Sequence, residues 1–254
     1  MRIATWNVNS VRARLPRLLD WLQTASPDVV CLQETKCVDE QFPREPIEDL
    51  GYQIELFGQK TYNGVAILSK RRMENVIRGF PDDDEDAQKR VIGATIDDVM
   101  LLNLYVVNGK EVGSDKYDYK LDWLKRLSEM VDETYDMTEK VVLTGDFNIT
   151  FDDRDIHDPD AWRDKILCSD PERDALAQVM SHGLRDAFRK FEEGAGHYTW
   201  WDFRTRGFQR GQGLRIDHFL MSPPALEACT AVEVDLEARG GEKPSDHAPV
   251  IATL

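Results

Sequence analysis

Apolar residues in this chain recur in short runs, and several of the runs end in a cluster of amides and acids. RIATWNV, DVVCLQE, YQIELFG, GVAILSK, VIGATI, VMLLNLYVV, VVLTGDF, HYTWW, LRIDHFLM, AVEVDL and HAPVIATL make eleven candidate strands. That is more than one ordinary sheet holds, so two packed sheets are expected. Between Asp118 and Tyr135 the residues Leu121, Leu124, Leu127, Val131 and Tyr135 recur every three or four positions, which predicts a helix with one apolar face. A second helix is predicted from about Leu15 to Thr24, with Pro16 at its start and Leu15, Leu18, Leu19 and Leu22 turned inward. A third opens on Pro171 and closes at Gly183, and Pro43–Leu50 and Pro224–Cys229 each suit a turn or two of helix. No Gly/Ser-rich linker and no short-period repeat divides the chain, and the charged run DDDEDAQKR reads as a solvated loop. The expected architecture is one domain over residues 1–254, an α/β sandwich of two packed sheets with helices outside.

Five of the strand-like runs carry the same chemistry at one end. The first leads into Asn7 and Asn9, the second into Gln33 and Glu34, a third presents Tyr105 and Asn108, a fourth Asp146 and Asn148, and the last begins behind Asp246 and His247. Singly, an Asp or Asn at a strand end makes a turn, and an Asp-His pair caps a surface. Residues two apart on a strand face the same side, so aligned strand ends would line a cleft with oxygen donors, carboxamides and one imidazole. Such donors suit Mg²⁺ or Mn²⁺, whereas zinc calls for a tighter set of His and Cys. The chain has five His and no HxxxH spacing. Magnesium is held by one or two carboxylates and acts where phosphate is handled.

Composition adds a conflict. With 41% hydrophobic residues the chain can build a core, and no apolar run approaches the length needed to cross a bilayer, so a cytoplasmic protein is expected. Cys31, Cys37, Cys168 and Cys229 form neither a CxxC pair nor a disulfide framework, which suits a reducing compartment. Lys plus Arg number 32 against 47 Asp plus Glu, and the net charge of −15 argues against a polyanionic partner at long range. Locally the balance reverses. Arg204, Arg206, Arg210 and Arg215 lie between Phe203 and Ile216 without an intervening acid, among Trp200, Trp201, Phe203 and Phe208. Basic and aromatic residues together grip phosphates and stack on unpaired bases or sugars, although strand alternation puts about half of these rings in the core. Screening limits distant acids to a reach of about 8 Å, so contact is decided locally and binding should be sensitive to salt.

The motifs TWNVNSVRAR, DVVCLQETK, NGVAILSK, LYVVNG, GDFNI, TWWDFR, GLRIDHFL and PSDHAPV, in this order from residue 5 to 250, closely resemble the exonuclease III family of DNA-repair nucleases. That family belongs to the endonuclease, exonuclease and phosphatase superfamily. LQET, GDFN and SDH are shared across the superfamily, while KYDYKLDWL with TWWDFR and GLRIDH is specific to the bacterial branch. The resemblance implies a four-layer, DNase I-like α/β sandwich, with two mixed sheets flanked by helices. It implies Mg²⁺-dependent cleavage of DNA, with Mn²⁺ as a substitute: incision 5′ to abasic sites to leave a 3′-hydroxyl, and 3′ to 5′ exonuclease action on duplex ends. The partner implied is double-stranded DNA with abasic sites or 3′ ends, bound by a monomer.

Carried over by position, the resemblance implies that Glu34 is the main metal carboxylate, with Asn7 and Asp246 completing that side. It implies that Asp146 activates water and Asn148 steadies it. It implies that His247, oriented by Asp217, contacts the phosphate and that Tyr105 touches the scissile phosphate, with Asn108 close by in the same motif. Trp200, Leu214 and Ile216 match positions that in the family form a pocket for a flipped-out abasic sugar, and Arg204 and Arg206 of the basic stretch are expected to bind phosphate. The chain departs from the pattern at Val107, where a proline is common, at Gly211, where an Asn is common, and at Asn9, which is a carboxylate in some relatives. It enters its first strand at once, so no N-terminal extension is expected. Two competing readings remain, a phosphatase-type hydrolase of the same superfamily and a non-catalytic DNA-binding module. The second has no need to keep Glu34, Asp146, Asn148, Asp217, Asp246 and His247 together.

Overall fold

Two parallel strand pairs, each joined by a long helix, organise the molecule. The structure is a computed structural model that describes residues Met1–Leu254. Its twelve strands are β1 (Arg2–Asn7), β2 (Val29–Gln33), β3 (Gln53–Phe57), β4 (Val65–Ser69), β5 (Met73–Arg78), β6 (Val91–Ile96), β7 (Val99–Tyr105), β8 (Lys140–Asp146), β9 (Arg185–Asp186), β10 (Asp217–Met221), β11 (Ala231–Val234) and β12 (Val250–Thr253). They form two six-stranded sheets, ordered β11-β12-β1-β2-β4-β3 and β5-β6-β7-β8-β10-β9. One pair in each is parallel, β1 with β2 and β7 with β8, and every other pair is antiparallel, so both sheets are mixed. The helices are α1 (Val11–Thr24), α2 (Glu45–Glu48), α3 (Asp115–Thr134), α4 (Pro159–Trp162), α5 (Asp170–Ser181), α6 (Gly207–Arg210) and α7 (Pro223–Ala228). A parallel pair needs a long crossover, and α1 and α3 supply the two.

Three apolar layers hold the sandwich. Between the sheets, Ile3, Val29 and Ile67 meet Ile92, Leu101 and Val142. Outside the first sheet, Trp6, Val30 and Leu32 pack on Leu18, Trp21 and Leu22 of α1. Outside the second, Leu102, Leu104 and Leu143 pack on Leu124 and Leu127 of α3 and on Leu176 and Val179 of α5. The order helix, sheet, sheet, helix is the four-layer sandwich expected. Central strands are covered on both faces, which is why β2 and β4 read as nearly unbroken apolar runs.

The elements differ from the sequence reading where polar contacts override periodicity. HYTWW is not a strand. Only Trp200 makes bridges, to Leu214 and to His247, so this segment stitches two loops together. The edge strand β5 escaped notice because its sequence MENVIR is largely polar and it carries a bulge between Glu74 and Ile77. Helix α1 starts at Val11 under a Ser10 cap, which puts Pro16 inside it. Helix α3 starts at Asp115 under a Ser114 cap. Its inner face is Tyr117, Lys120, Trp123, Leu124, Leu127, Met130 and Val131, while Leu121 and Tyr135 sit half-buried at the margin.

Arg215, read as part of a basic stretch, is 1% exposed and committed to the protein. Its guanidinium donates to Asp155 and Asp186, each at 2.7 Å. Beside it His218 is buried, its Nε2 2.7 Å from the Ile149 carbonyl and its ring tilted at 49° against Phe151. Burial, helped by the Arg215 charge, pushes the His218 pKa down from 6.5 to about 4. Between these values the unfolded chain takes up a proton that the folded chain refuses, so this stability is fully present above pH 6.5 and is lost as pH falls. Urea unfolding should lose about 1.4 kcal/mol per pH unit across that window from this group. A His218→Gln variant should lose that part of the slope, and an unchanged slope in the variant would contradict the assignment.

Candidate active site

Strand register brings the polar ends to one rim. Asn7 lies opposite Gln33 across β1 and β2, and Tyr105 lies opposite Asp146 across β7 and β8. Asp217, first in β10, pairs antiparallel with Asp146. The loop before β12 delivers Asp246 and His247, held by the Trp6 indole donating to the His247 carbonyl at 3.1 Å. Gly145 makes the approach of β7 and β8 possible, because its φ is 143° and a Cβ there would lie 1.9 Å from the Leu104 carbonyl oxygen.

The two sheets meet at the Asn7 carboxamide. Its Nδ2 donates to Glu34 Oε1 and to Asp146 Oδ2, both at 2.9 Å. Asp146 Oδ1 accepts from the Asn148 backbone N–H at 2.9 Å. His247 Nδ1 lies 2.9 Å from Asp217 Oδ2, and its Nε2 is 3.8 Å from Asp146 Oδ2. Thr199 Oγ1 donates to the same Asp217 oxygen at 2.6 Å. Asn108 Nδ2 donates to Asn148 Oδ1 at 2.9 Å. On the Glu34 side, Lys36 Nζ sits 2.6 Å from Glu34 Oε2 and 2.6 Å from Asn9 Oδ1. Asp246 accepts from Asn9 Nδ2 at 3.0 Å and from the Trp200 indole at 3.1 Å.

Burial and mutual charge shift these groups. Burial drives the Asp146 pKa up, with Asp217 and Glu34 adding and the His247 charge and the Asn7 bond opposing. For His247 burial acts downward, but Asp217 and Asp146 outweigh it and hold the ring as an imidazolium. Glu34 stays below its usual range because the Lys36 charge and the bond from Asn7 exceed the cost of burial. Asp246 is held down against burial by His247 and by its bonds from Asn9 and Trp200. Burial and the Glu34 charge keep the Tyr105 hydroxyl protonated. Backbone strain gathers at the same rim, with Glu34 at φ 53°, Asn148 at 50° and Asn9 at 45°. A glutamate in the left-handed region is the least usual of the three.

Asn7, Glu34, Tyr105, Asn108, Asp146, Asn148, Trp200, Asp217, Asp246 and His247 therefore share one network. Four other candidates do not join it. Leu214 and Ile216 are fully buried with Ile156, Leu167 and Cys168 and offer no surface to a ligand. Arg204 is tied back to Asp202 at 2.8 Å, and Arg206 projects from the exposed loop beyond it. Gly211 adopts φ 67° at the end of α6, a conformation open to Gly and Asn alike. Val107 is buried in the outer core, so packing takes the place of proline stiffening there. Sequence reasoning passed over Lys36, Thr199 and Lys120. All three stand in quoted motifs, DVVCLQETK, HYTWW and KYDYKLDWL, but only the fold reveals their partners.

Asp146, Asp217 and His247 each bring a ligand atom within 4.8 Å of the others, a buried spacing compatible with a divalent metal if the His247 ring gives up its proton. A site of acids, amides and one imidazolium, on the rim of a double-sheet sandwich, is that of a phosphoester hydrolase. Residues 4–247 match the model of the Endonuclease/Exonuclease/phosphatase family. Exodeoxyribonuclease III of Haemophilus influenzae is 38% identical over 99% of each chain. Among solved structures, the 3′ phosphatase NExo from Neisseria, bound to a product DNA hairpin, is 44% identical with TM-score 0.96 over 100% of this chain and 99% of that one. An AP endonuclease from Archaeoglobus fulgidus is 37% identical with TM-score 0.96 over the same shares. The chain belongs to the Endonuclease/Exonuclease/phosphatase family, in its exonuclease III and AP endonuclease branch. It is an exodeoxyribonuclease III-like phosphodiester hydrolase.

Lys120 clamps two loops of the site from below. Fully buried, it is paired with Glu172, and its Nζ also donates to the Asn148 carbonyl at 2.7 Å and the Asn108 carbonyl at 3.2 Å. All three ammonium hydrogens are thereby used, and two of them fix the main chain of carboxamide residues. Removing one partner of a buried pair costs about 3–5 kcal/mol. Lys120→Met should show that loss in urea unfolding and, measured well below its melting temperature, a lower kcat with KM for DNA little changed. An unaltered kcat in the folded variant would make Lys120 purely structural.

Proposed function

We propose that this protein, acting as a monomer, hydrolyses the phosphodiester on the 5′ side of abasic sites in duplex DNA to leave a 3′-hydroxyl. It also removes nucleotides from 3′ ends, with Mg²⁺ as its metal and Mn²⁺ as a substitute. The observation that carries the reading is the buried His247–Asp217 pair facing Asp146, which Asn7 ties to Glu34.

Glu34, Asn7 and Asp246 would hold the divalent ion. The fit is clearest at Glu34, where the Lys36 ammonium already sits on Oε2. Asp217 suits a ligand less well, because its carboxylate is engaged by His247 and Thr199. Held there, a divalent ion would supply positive charge to offset the negative charge that builds on the phosphate. The chain's own groups do the rest. Asp146, its pKa raised toward neutrality, accepts the proton of the attacking water. The Asn148 N–H fixes the orientation of that carboxylate. His247, with Nδ1 on Asp217, presents its Nε2–H to a phosphate oxygen. Tyr105, kept protonated, donates from the other side of the rim, and Asn108 holds Asn148 in place.

The likeness to an AP endonuclease supports incision at internal abasic sites, as does Trp200, half-buried and tied to Asp246 at the lip of the site. A second reading, removal of a 3′-phosphate from a DNA end, is favoured by the covered state of Leu214 and Ile216. The 44% identity to a 3′ phosphatase favours it too. A gel assay separates the two. A labelled duplex with one tetrahydrofuran abasic analogue and a duplex ending in 3′-phosphate are each treated with Mg²⁺ and with chelator. Nicking 5′ to the analogue is expected, lost in chelator and reduced about 10²- to 10⁴-fold in Asp146→Asn. Loss of the 3′-phosphate with the analogue strand left whole would overturn the proposal in favour of the second reading. His247→Ala should keep its far-ultraviolet circular dichroism and lose most turnover, and a lost spectrum would make the residue structural.

A further inference from the structure

Many cations of this acidic chain are already matched: Arg71, Arg78, Lys120, Arg126 and Arg215 each meet a carboxylate. Arg239 does not. It is 4% exposed, its side chain donates no hydrogen bond, and its Nε is buried without a partner. Aromatic rings surround it instead. The guanidinium carbon lies 4.8 Å from the centre of the Phe208 ring, 5.0 Å from Phe203 and 5.9 Å from Trp201. Rings stabilise a cation but leave its in-plane N–H donors unpaired, and unpaired buried donors are costly. Burial lowers its pKa further than the nearby Asp246 restores it.

This guanidinium lines an open cavity of about 580 Å³ together with Phe203, Arg206, Phe208, Gln209 and Pro244. Two arginines and no carboxylate form its walls, on a protein of net charge −15. The cavity adjoins the site, since Trp201 donates its backbone N–H to the Asp246 carbonyl at 3.0 Å. We propose that the cavity is a second phosphate subsite, in which a backbone phosphodiester of the bound DNA, remote from the one cut, seats between Arg239 and Arg206. The planar fork of a guanidinium suits two phosphate oxygens. The inference rests on DNA as the substrate, not on where the strand is cut.

Binding of a fluorescein-labelled, undamaged duplex is followed by anisotropy over a KCl series, in chelator so that nothing is cut. Arg239→Gln should weaken binding and reduce the slope of log affinity against log salt by about 0.9, the share of one phosphate. Arg239→Lys should keep the slope. Arg206→Gln, at an exposed position, should show the same reduction, and the double variant no more than either alone, because both groups act on one phosphate. Unchanged slopes in both Gln variants, with a lower melting temperature for Arg239→Gln, would reduce Arg239 to a structural rivet and sink the proposal. Should Arg239→Gln not fold, the slope of Arg206→Gln decides alone. Added dAMP tests the source of the phosphate: binding that depends on Arg239, with the DNA slope unchanged, would overturn the assignment to a strand. Because the probe has no lesion, failure to incise abasic DNA leaves these outcomes intact.

Discussion

The Asn7 carboxamide is the contact on which the site depends. One nitrogen, through its two hydrogens, joins Glu34 of the first sheet to Asp146 of the second. Glu34, Asp146, Asp217 and Asp246 converge at this seam, and a buried cluster of carboxylates is unstable unless each is matched. Here two cations and a set of amide donors share that task. His247 faces Asp146 and Asp217, Lys36 faces Glu34, and the amides of Asn7 and Asn9 serve the remaining oxygens. Such an arrangement holds charge in readiness for a substrate that is itself charged.

The fold supplies that seam twice over. Each sheet has one parallel pair joined by a long helix, and the site lies where the carboxyl ends of β1, β2, β7 and β8 meet across the sandwich. Helix α3 does more than cover the second sheet. Through Lys120 it grips the carbonyls of Asn108 and Asn148, so the outer layer braces the rim from behind. The acidity of the whole chain and the proposed work on DNA are compatible. Beside the site an open cavity holds Arg206 and Arg239, and no carboxylate lines it.

Much of this was legible in the residues. Apolar runs of strand length with polar ends announce two sheets and a common rim, because strand periodicity and the chemistry of the end residues are local properties. What escaped depended on distant partners. Arg215 looked basic and available until Asp155 and Asp186 arrived from elsewhere in the chain. Leu214 and Ile216 looked like pocket walls until Ile156, Leu167 and Cys168 covered them. Lys120 fell on a helix face that periodicity assigns to apolar residues, and its role appears only once Glu172 and two loop carbonyls are seen around it. HYTWW has the composition of a strand, yet its hydrogen bonds go to two separate loops.

Anomalous diffraction from crystals soaked in Mn²⁺ locates the metal. A peak is expected at the Glu34 carboxylate, at the ligand distance of about 2.0–2.1 Å typical of a Mg²⁺ site, beside Asn7 and Asp246, with the His247–Asp217 pair undisturbed. A peak seated on Asp217 and the His247 ring, with Glu34 left on Lys36, would contradict that placement.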